Sequence, residues 1–135
     1  MWTDKQHSHD RLTDDKVAWM TTVSADGIPS TAPIWYQFES DTVLLVYSRD
    51  PSIRLRNITA NSRVTLNLNT DKWARDVIVM NGRAVIDRDE PPADTNDTFI
   101  AKYQEQLDNY GWSPKWFADN YPTAIRVTVH SVRGK

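Results

Sequence analysis

The alternation of apolar and polar residues predicts that the chain is built largely from β-strands. At residues 63–69, Val64, Leu66 and Leu68 alternate with polar side chains, which is the two-residue period of a strand with one buried face. Similar apolar or β-branched runs recur along the chain and are bounded by residues that favour turns. We therefore predict six strands, at residues 17–23, 31–39, 42–48, 63–69, 76–87 and 123–132.

Glycine and proline indicate how these strands are joined and where they are interrupted. The dipeptide Asp26-Gly27 follows the first strand and is typical of the tight turn of a β-hairpin. Pro29 and Pro33 lack the N–H that a central strand donates, so they indicate an edge strand or a bulge. The dipeptide Asn81-Gly82 lies inside the fifth strand and predicts a bulge or a sharp bend there.

A short helix is predicted after the third strand, at residues 51–60. Asp50 is a favoured N-cap residue, and Pro51 has the backbone geometry of the first helical position. A helix start leaves N–H groups unpaired and attracts anions, and Ser52 and Arg54 add a hydroxyl and a planar guanidinium suited to phosphate oxygens. The segment has two interpretations, a phosphate-binding cradle or a solvated basic helix that only covers the sheet.

The hydrophobic period changes to that of a helix after residues 91–92. Four residues recur at the spacing of one helix face, and this stripe is interpreted as core: Phe99, Tyr103, Leu107 and Tyr110. Gly111 stands where this helix would end, and Ser113 and Pro114 would be the N-cap and first residue of a second, short helix. A late helix pair therefore follows the strand-rich part.

Together these elements predict a mainly β, α+β domain that spans residues 1–135. Its six strands would form a small, strongly curved antiparallel barrel, with one helix after the third strand and the late helix pair beside it. Residues 1–15 are polar and are predicted to precede the barrel, with His7 and His9 in a flexible tail.

Composition narrows the classes of function. The formal net charge is −2 and no basic stripe is present, which disfavours binding to nucleic acid or to an anionic membrane. The absence of cysteine excludes disulfides, thiolate metal sites and cysteine nucleophiles, and it fits a reducing cytoplasm. The polar start has no apolar run of a signal peptide or a membrane span. We therefore expect a cytoplasmic protein.

No group of residues in the sequence is sufficient for catalysis by itself. His7 and His9 lack nearby partners for a metal, and His130 is interpreted as an ordinary strand histidine and not as a general base. No serine lies in a nucleophile elbow. The scattered glycines form neither a P-loop nor a dinucleotide fingerprint. We predict no catalytic side chain and no metal site, so any redox chemistry would belong to a bound cofactor.

The order of several short motifs resembles the FMN-binding split barrels related to pyridoxamine 5'-phosphate oxidase. These motifs are Asp26-Gly27, Pro29, Pro33-Ile34-Trp35-Tyr36, Tyr47-Ser48, Ser52, Arg54-Leu55-Arg56-Asn57-Ile58 and residues 61–66. Later segments resemble a mycobacterial-type branch that uses the deazaflavin coenzyme F420 in place of FMN: 76–79, 82–84, 91–94, 101–103, 117–121, 125–127 and 132–134. The resemblance extends from about residue 17 to residue 134 and implies a six-stranded split barrel.

The resemblance also implies a homodimer with the cofactor in a groove between the subunits. The residues implied near the cofactor phosphate are Ser48, Ser52, Arg54 and Asn57. Those implied along its ring system are Pro33, Ile34, Trp35 and Tyr47. Those implied to reach the site from the partner subunit are Trp73, Arg75, Trp116 and Arg126.

Three of these residues keep a second interpretation. Trp35 could be ordinary barrel core, and Trp73 could cover the dimer seam without touching a ligand. Arg126 could pair with a carboxylate of the late helices. The chain also departs from the family pattern, since Arg54 stands where lysine is common and residues 73–75 are bulky where glycine is frequent.

The function that the resemblance implies is hydride transfer from reduced F420 to a small unsaturated organic molecule. The deazaflavin ring has carbon where flavin has its central nitrogen, so it transfers hydride and not single electrons. The protein would supply binding, orientation and exclusion of water. Two alternatives stay open: an FMN-binding oxidase or reductase of the same fold, and a non-catalytic carrier or sensor of a flavin or haem.

Overall fold

The structure, a computed structural model, describes residues 5–134. Its strands are β1 (Ala18–Val23), β2 (Pro29–Ile34), β3 (Tyr36–Ser40), β4 (Val43–Ser48), β5 (Arg63–Leu68), β6 (Ile78–Asp87) and β7 (Thr123–Gly134). Its helices are α1 (Lys5–Asp14), α2 (Ile53–Ala60), α3 (Asp97–Tyr110) and α4 (Pro114–Asn120), with a 3-10 turn at Ala93–Thr95. The predicted α+β class, with an early helix and a late helix pair, is confirmed.

The strands form one antiparallel sheet in the order β2-β1-β5-β6-β7-β4-β3. β2 and β3 are therefore the two edges of the sheet, although Trp35 alone separates them along the chain. Because one residue spans only about 3.5 Å, the two edges must approach each other at Trp35. The sheet is thus curled into a half-closed barrel, as the split-barrel prediction requires.

The prediction of one strand at 31–39 is wrong, and the number of strands rises from six to seven. The edge position that the prolines indicated is confirmed for β2, which pairs with β1. Past Trp35, the N–H of Tyr36 donates to the Tyr103 hydroxyl of α3 at 2.8 Å. A helix side chain therefore satisfies the main chain where it crosses from one sheet edge to the other.

Two glycines have the conformations that the sequence predicted. Gly27 has φ +84° in the β1–β2 turn, and the β6–β7 register shifts between Asn81 and Gly82, which confirms the bulge. A Cβ on Gly82 would lie 2.3 Å from the carbonyl oxygen of Thr128. The bulge therefore brings two backbones closer than any side chain allows.

The start of α2 differs from the prediction. Ser52, and not Asp50, is the N-cap, and its Oγ accepts from the N–H of Leu55 at 3.2 Å. The Asp50 carboxylate instead accepts from Arg88 and from the Thr123 hydroxyl, both at 2.9 Å, and these bonds lower its pKa. Pro51 precedes the helix, so its assignment as the first helical residue is also wrong.

The late helices begin and end as predicted, with Gly111 in the left-handed conformation after α3 and Ser113 capping α4. Phe99, Tyr103 and Leu107 are fully buried against the sheet. Tyr110 is 61% exposed, so its assignment to the core is wrong. It is the last residue of α3, and its ring stacks on those of Trp35 and Trp112.

The N-terminal segment is a helix in the part that the structure describes, so the prediction of a flexible tail is wrong there. Leu12 of α1 is fully buried, and its carbonyl accepts from the Tyr36 hydroxyl at 2.8 Å. His7 Nε2 lies 2.6 Å from Asp76 Oδ1. Residues 1–4 of the predicted polar segment lie outside the described residues. Within residues 5–134, no helix is both long and apolar enough to cross a membrane.

Candidate functional site

A cleft of about 630 Å³ opens beside the N-terminus of α2. This volume is within the range of small-molecule sites in proteins. One wall is polar and comes from the end of β4 and the start of α2. The facing wall is aromatic and comes from Trp35 and the late helices.

The polar wall is ordered by the cap of α2. Ser48, the last residue of β4, is buried, and its Oγ donates to the carbonyl of Arg49 at 2.9 Å. The Oγ atoms of Ser48 and Ser52 lie 3.3 Å apart. The first N–H groups of a helix have no partner within the helix and carry the positive end of its dipole. Two hydroxyl groups and the start of the helix therefore lie together at this end of the cleft.

Arg54 adds a positive charge to the same wall. Its guanidinium makes one long hydrogen bond, from Nη2 to the carbonyl of Pro33 at 3.5 Å. No carboxylate of the described residues forms an ion pair with it, and burial lowers its pKa. Because a partly dehydrated cation without a counter-charge is costly, Arg54 favours an anion in the cleft.

The aromatic wall is a continuous stack. Trp35 packs parallel to Tyr103, with centroids 4.6 Å apart, and Phe117 packs parallel to Tyr121 at the same distance. Trp35 lines the cleft and also packs against the core under α3 and α4. Trp35 therefore belongs to the cluster under the late helices and not to the barrel core, and its contact with a cofactor ring stays a prediction.

Tyr47 lines the cleft, but its hydroxyl lies against Asn96, which is not among the lining residues. Its oxygen accepts from Asn96 Nδ2 at 2.9 Å, and no bond from its own O–H occurs among the described residues. Burial raises the pKa of Tyr47, so the hydroxyl stays protonated at neutral pH. Tyr47 therefore contributes its buried ring to the wall of the cleft.

The structure brings most of the residues predicted near the cofactor to this one cleft. Those that line it are Pro33, Ile34, Trp35, Tyr47, Ser48, Ser52 and Arg54. Asn57 does not line it, because its amide is buried and donates to Thr22 Oγ1 at 3.0 Å. Thr22 itself lines the cleft, so Asn57 supports the wall from behind.

Three of the residues predicted to come from the partner subunit lie at the surface and do not line the cleft of their own chain. Trp73 is 68% exposed, with Lys72 Nζ 5.2 Å from its ring, and Arg75 pairs with Asp71 at 2.6 Å. Trp116 stacks on Trp112, with centroids 4.4 Å apart. Their role toward a second subunit stays a prediction.

Arg126, the fourth, is enclosed by carboxylates. Its guanidinium donates to Glu39 at 2.9 and 3.1 Å, to Asp87 at 2.6 Å and to Glu90 at 3.2 Å. The bonds to Glu39, and then the bond to Glu90, raise its pKa. Arg126 thus pairs with acidic residues of β3, of β6 and of the turn after β6, and not with those of the late helices.

Sequence reasoning missed several residues of the cleft. Arg49 lies with its guanidinium carbon 4.5 Å from the centroid of the Tyr121 ring, and both residues line the cleft. Trp112, between the two late helices, stacks on Tyr110 at 4.7 Å and also lines it. The position of Arg49 directly after Ser48 was a usable signal, whereas nothing local indicated that Trp112 turns toward α2.

Solved structures of the same fold have low sequence identity to the chain. A conserved hypothetical protein from Mycobacterium tuberculosis has a TM-score of 0.76 and 16% identity, over 99% of this chain and 85% of the other. A FAD-binding protein from Mesorhizobium loti has a TM-score of 0.70 and 22% identity, over 97% and 93%. The heme storage protein HutZ from Vibrio cholerae has a TM-score of 0.69 and 14% identity, over 97% and 94%. These similarities show the fold.

Comparisons of the amino-acid sequence with known proteins and families gave one negative result and one match. No curated protein matches the chain significantly. The family model described as pyridoxamine 5'-phosphate oxidase matches residues 5–135, nearly the whole chain. With its curled antiparallel sheet and the cleft beside α2, this chain belongs to the pyridoxamine 5'-phosphate oxidase family.

Proposed function

We propose that this protein is an F420-dependent oxidoreductase that reduces a small unsaturated organic molecule in the cleft beside α2. The observation that carries the proposal is Arg54, a partly buried guanidinium that faces the cleft without a carboxylate partner among the described residues. Membership of the family and the motif resemblance to its F420-using branch point to the cofactor.

The residues of the cleft fit the parts of such a cofactor. Arg54, Ser48 and Ser52 would hold its phosphate, since a guanidinium and hydroxyls beside a helix N-terminus are suited to phosphate oxygens. Trp35 and Pro33 offer flat apolar surface for a ring system. When bound, the cofactor supplies a hydride.

The chain's own residues would orient the reactants, exclude water and hold a proton. The aromatic wall keeps one side of the cleft dry, which strengthens every polar contact inside it. Tyr47 adds its ring to this wall, and its hydroxyl, held by Asn96, keeps its proton at neutral pH because burial raises its pKa.

A homodimer is part of the proposal. Trp73, Arg75 and Trp116 are the residues that the resemblance assigns to the partner subunit, and each is at least partly exposed. A two-fold axis would repeat one contact and produce two equivalent sites. Light scattering after size-exclusion chromatography measures the oligomeric state. A monomer that binds the cofactor tightly would contradict the proposed homodimer.

FMN is the second candidate cofactor, because the similar protein from Mesorhizobium loti is FAD-binding. A flavin phosphate would use the same donors at α2, so the cleft itself does not separate the two cofactors. A carrier of haem, which the similarity to HutZ raises, is less favoured, since no histidine is among the described residues that line the cleft.

Titration of cofactor-stripped protein with F420 and, separately, with FMN tests the proposal, with fluorescence as the readout. We expect tight binding of F420, weaker binding of FMN and oxidation of reduced F420 by an unsaturated acceptor. Preference for FMN would place the protein in the flavin branch. Binding without turnover of any acceptor would favour a carrier, and binding of neither cofactor would overturn the proposed function.

A further inference from the structure

A second cavity, of about 380 Å³, lies on the outer face of the sheet and is surrounded by basic residues. Arg63 of β5, Arg83 of β6 and His130 of β7 line it. Side chains alternate between the two faces of a strand, and the neighbours Val64 and Ala84 are buried in the core inside the curl. The cavity is therefore separate from the cleft beside α2.

The two arginines stand directly opposite each other. Arg63 pairs in register with Arg83 across β5 and β6, and Arg83 pairs with Thr128 across β6 and β7. Opposite residues on antiparallel strands have their Cα atoms about 5 Å apart, and like charges in this arrangement destabilise the sheet. A group of opposite charge between the guanidiniums would remove this cost.

No such group comes from the described part of the chain. No carboxylate lines the cavity, and neither arginine forms an ion pair among residues 5–134. Arg83 donates to the Ser62 hydroxyl at 3.2 Å, which leaves its charge uncompensated. By contrast, Arg11, Arg88 and Arg126 each have a carboxylate partner.

The rest of the lining is fixed in place. The Thr65 hydroxyl donates to Asn81 Oδ1 at 2.9 Å, and Asn81 Nδ2 donates to the Ser131 hydroxyl at 3.3 Å. Val23 adds an apolar edge. The cavity thus combines two adjacent cationic forks, a rigid polar floor and a small apolar contact.

We propose that this outer cavity binds a phosphate-bearing small molecule, with Arg63 and Arg83 as the phosphate ligands and His130 beside them. Each of the two guanidiniums can donate two N–H groups to the oxygens of one phosphate. A carboxylate has only two oxygens and would accept fewer of these four hydrogen bonds. The proposal is independent of the proposed function of the cleft beside α2.

Calorimetric titration at low salt tests the proposal with two probes, inorganic phosphate and phenyl phosphate. The titrations use the Arg54→Ala background, which removes the guanidinium of the cleft, so that any remaining binding reports on the outer cavity. We expect Arg63→Ala and Arg83→Ala each to weaken phosphate binding at least tenfold, and Arg63→Lys to weaken it less. Arg133→Ala, on the same strand as His130 but outside the cavity lining, is the matched control and should change binding less than twofold.

The two probes distinguish free phosphate from a phosphate ester. Tighter binding of phenyl phosphate would identify an ester whose organic part contacts Val23, and equal binding would identify phosphate itself. Three results would overturn the proposal. The first is a phosphate affinity that does not change in Arg63→Ala and Arg83→Ala, and the second is an equal loss of phosphate affinity in Arg133→Ala. The third is a change of oligomeric state in the arginine variants in place of a change in phosphate affinity. Far-UV circular dichroism confirms that each variant is folded.

Discussion

Arg54 and Arg126 are both partly buried arginines on regular elements, yet their surroundings are opposite. Arg126 is held by Glu39, Asp87 and Glu90, and the bonds to Glu39 and Glu90 raise its pKa. Arg54 has no carboxylate partner in the described part of the chain, and burial lowers its pKa. A charged side chain therefore does not by itself identify an anion-binding site. The partners that the fold provides decide whether the charge stabilises the protein or remains available to a ligand.

We therefore expect Arg126 to contribute to the stability of the fold and Arg54 to the binding of a ligand. Around Arg126, ion pairs offset the cost of removing the guanidinium and the carboxylates from water. At Arg54 that cost remains until an anion enters the cleft. Substitutions at the two arginines should accordingly affect different measurements.

Removal of the Arg126 side chain should have the largest effect, and on stability. Arg126→Ala leaves three carboxylates close together without a cation, so we expect a loss of about 2–3 kcal/mol in the free energy of unfolding. Urea denaturation measures this loss, and F420 affinity should stay within twofold. Arg126→Lys should recover part of the stability. Unchanged stability with lost cofactor binding would instead support the role from the partner subunit that the resemblance implies.

Arg54→Ala should show the opposite behaviour. We expect about a 30-fold loss of F420 affinity, or about 2 kcal/mol, because one charge-assisted contact to phosphate disappears. The free energy of unfolding should stay the same or rise slightly, since no ion pair is lost. Arg56→Ala is the matched control, because Arg56 lies exposed on the same helix and does not line the cleft. Equal losses in the two variants would show that only net charge matters.

Ser52→Asp would give Arg54 the kind of neighbour that Arg126 has. Aspartate is as good an N-cap as serine, so α2 should keep its stability. The added carboxylate would compete with a phosphate for Arg54, and we expect about a tenfold loss of F420 affinity. Ser52→Thr keeps both the cap and the neutral wall and should bind normally. A Ser52→Asp variant with undiminished affinity would exclude the phosphate from this end of the cleft.

Lys102 extends the comparison to a third cation, with the smallest expected effect. It donates to the carbonyl of Tyr36 at 2.9 Å, and burial, followed by the nearby charge of Lys16, lowers its pKa to about 8. The unfolded chain therefore binds more protons than the folded one between pH 8 and the ordinary lysine value of 10.5. Stability should rise by about 1 kcal/mol from pH 7.5 to 9.5.

Urea denaturation across this pH range checks the Lys102 prediction, and Lys102→Met is its control. That variant should lose the rise, whereas Lys115→Met, at an exposed position on α4, should keep it. Above about pH 10 the direction reverses, because burial raises the pKa of Tyr36 and Tyr103 and the unfolded chain loses their protons first. A flat profile up to pH 9.5 would contradict the prediction.

The structural elements that depend only on residues adjacent in the chain could be predicted from the sequence. The two-residue period of β5, the Gly27 turn and the Gly111 end of α3 depend on neighbouring residues alone. The sequence also placed Ser48, Ser52 and Arg54 within one strand–helix connection, and the structure brings all three to the cleft.

Other features depend on partners that are distant in the chain and become visible in the folded protein. Asp50 does not cap α2 because Arg88 and Thr123 bind its carboxylate. The break at Trp35 follows from closing a sheet whose edges are consecutive strands. Arg126 is paired with acidic residues that come close only when β3, β6 and β7 fold together, whereas no acidic residue in the described part of the chain forms an ion pair with Arg54. The charge of a residue and its place on a helix follow from the local sequence. Whether that charge can bind a ligand depends on which distant side chains the fold brings near it.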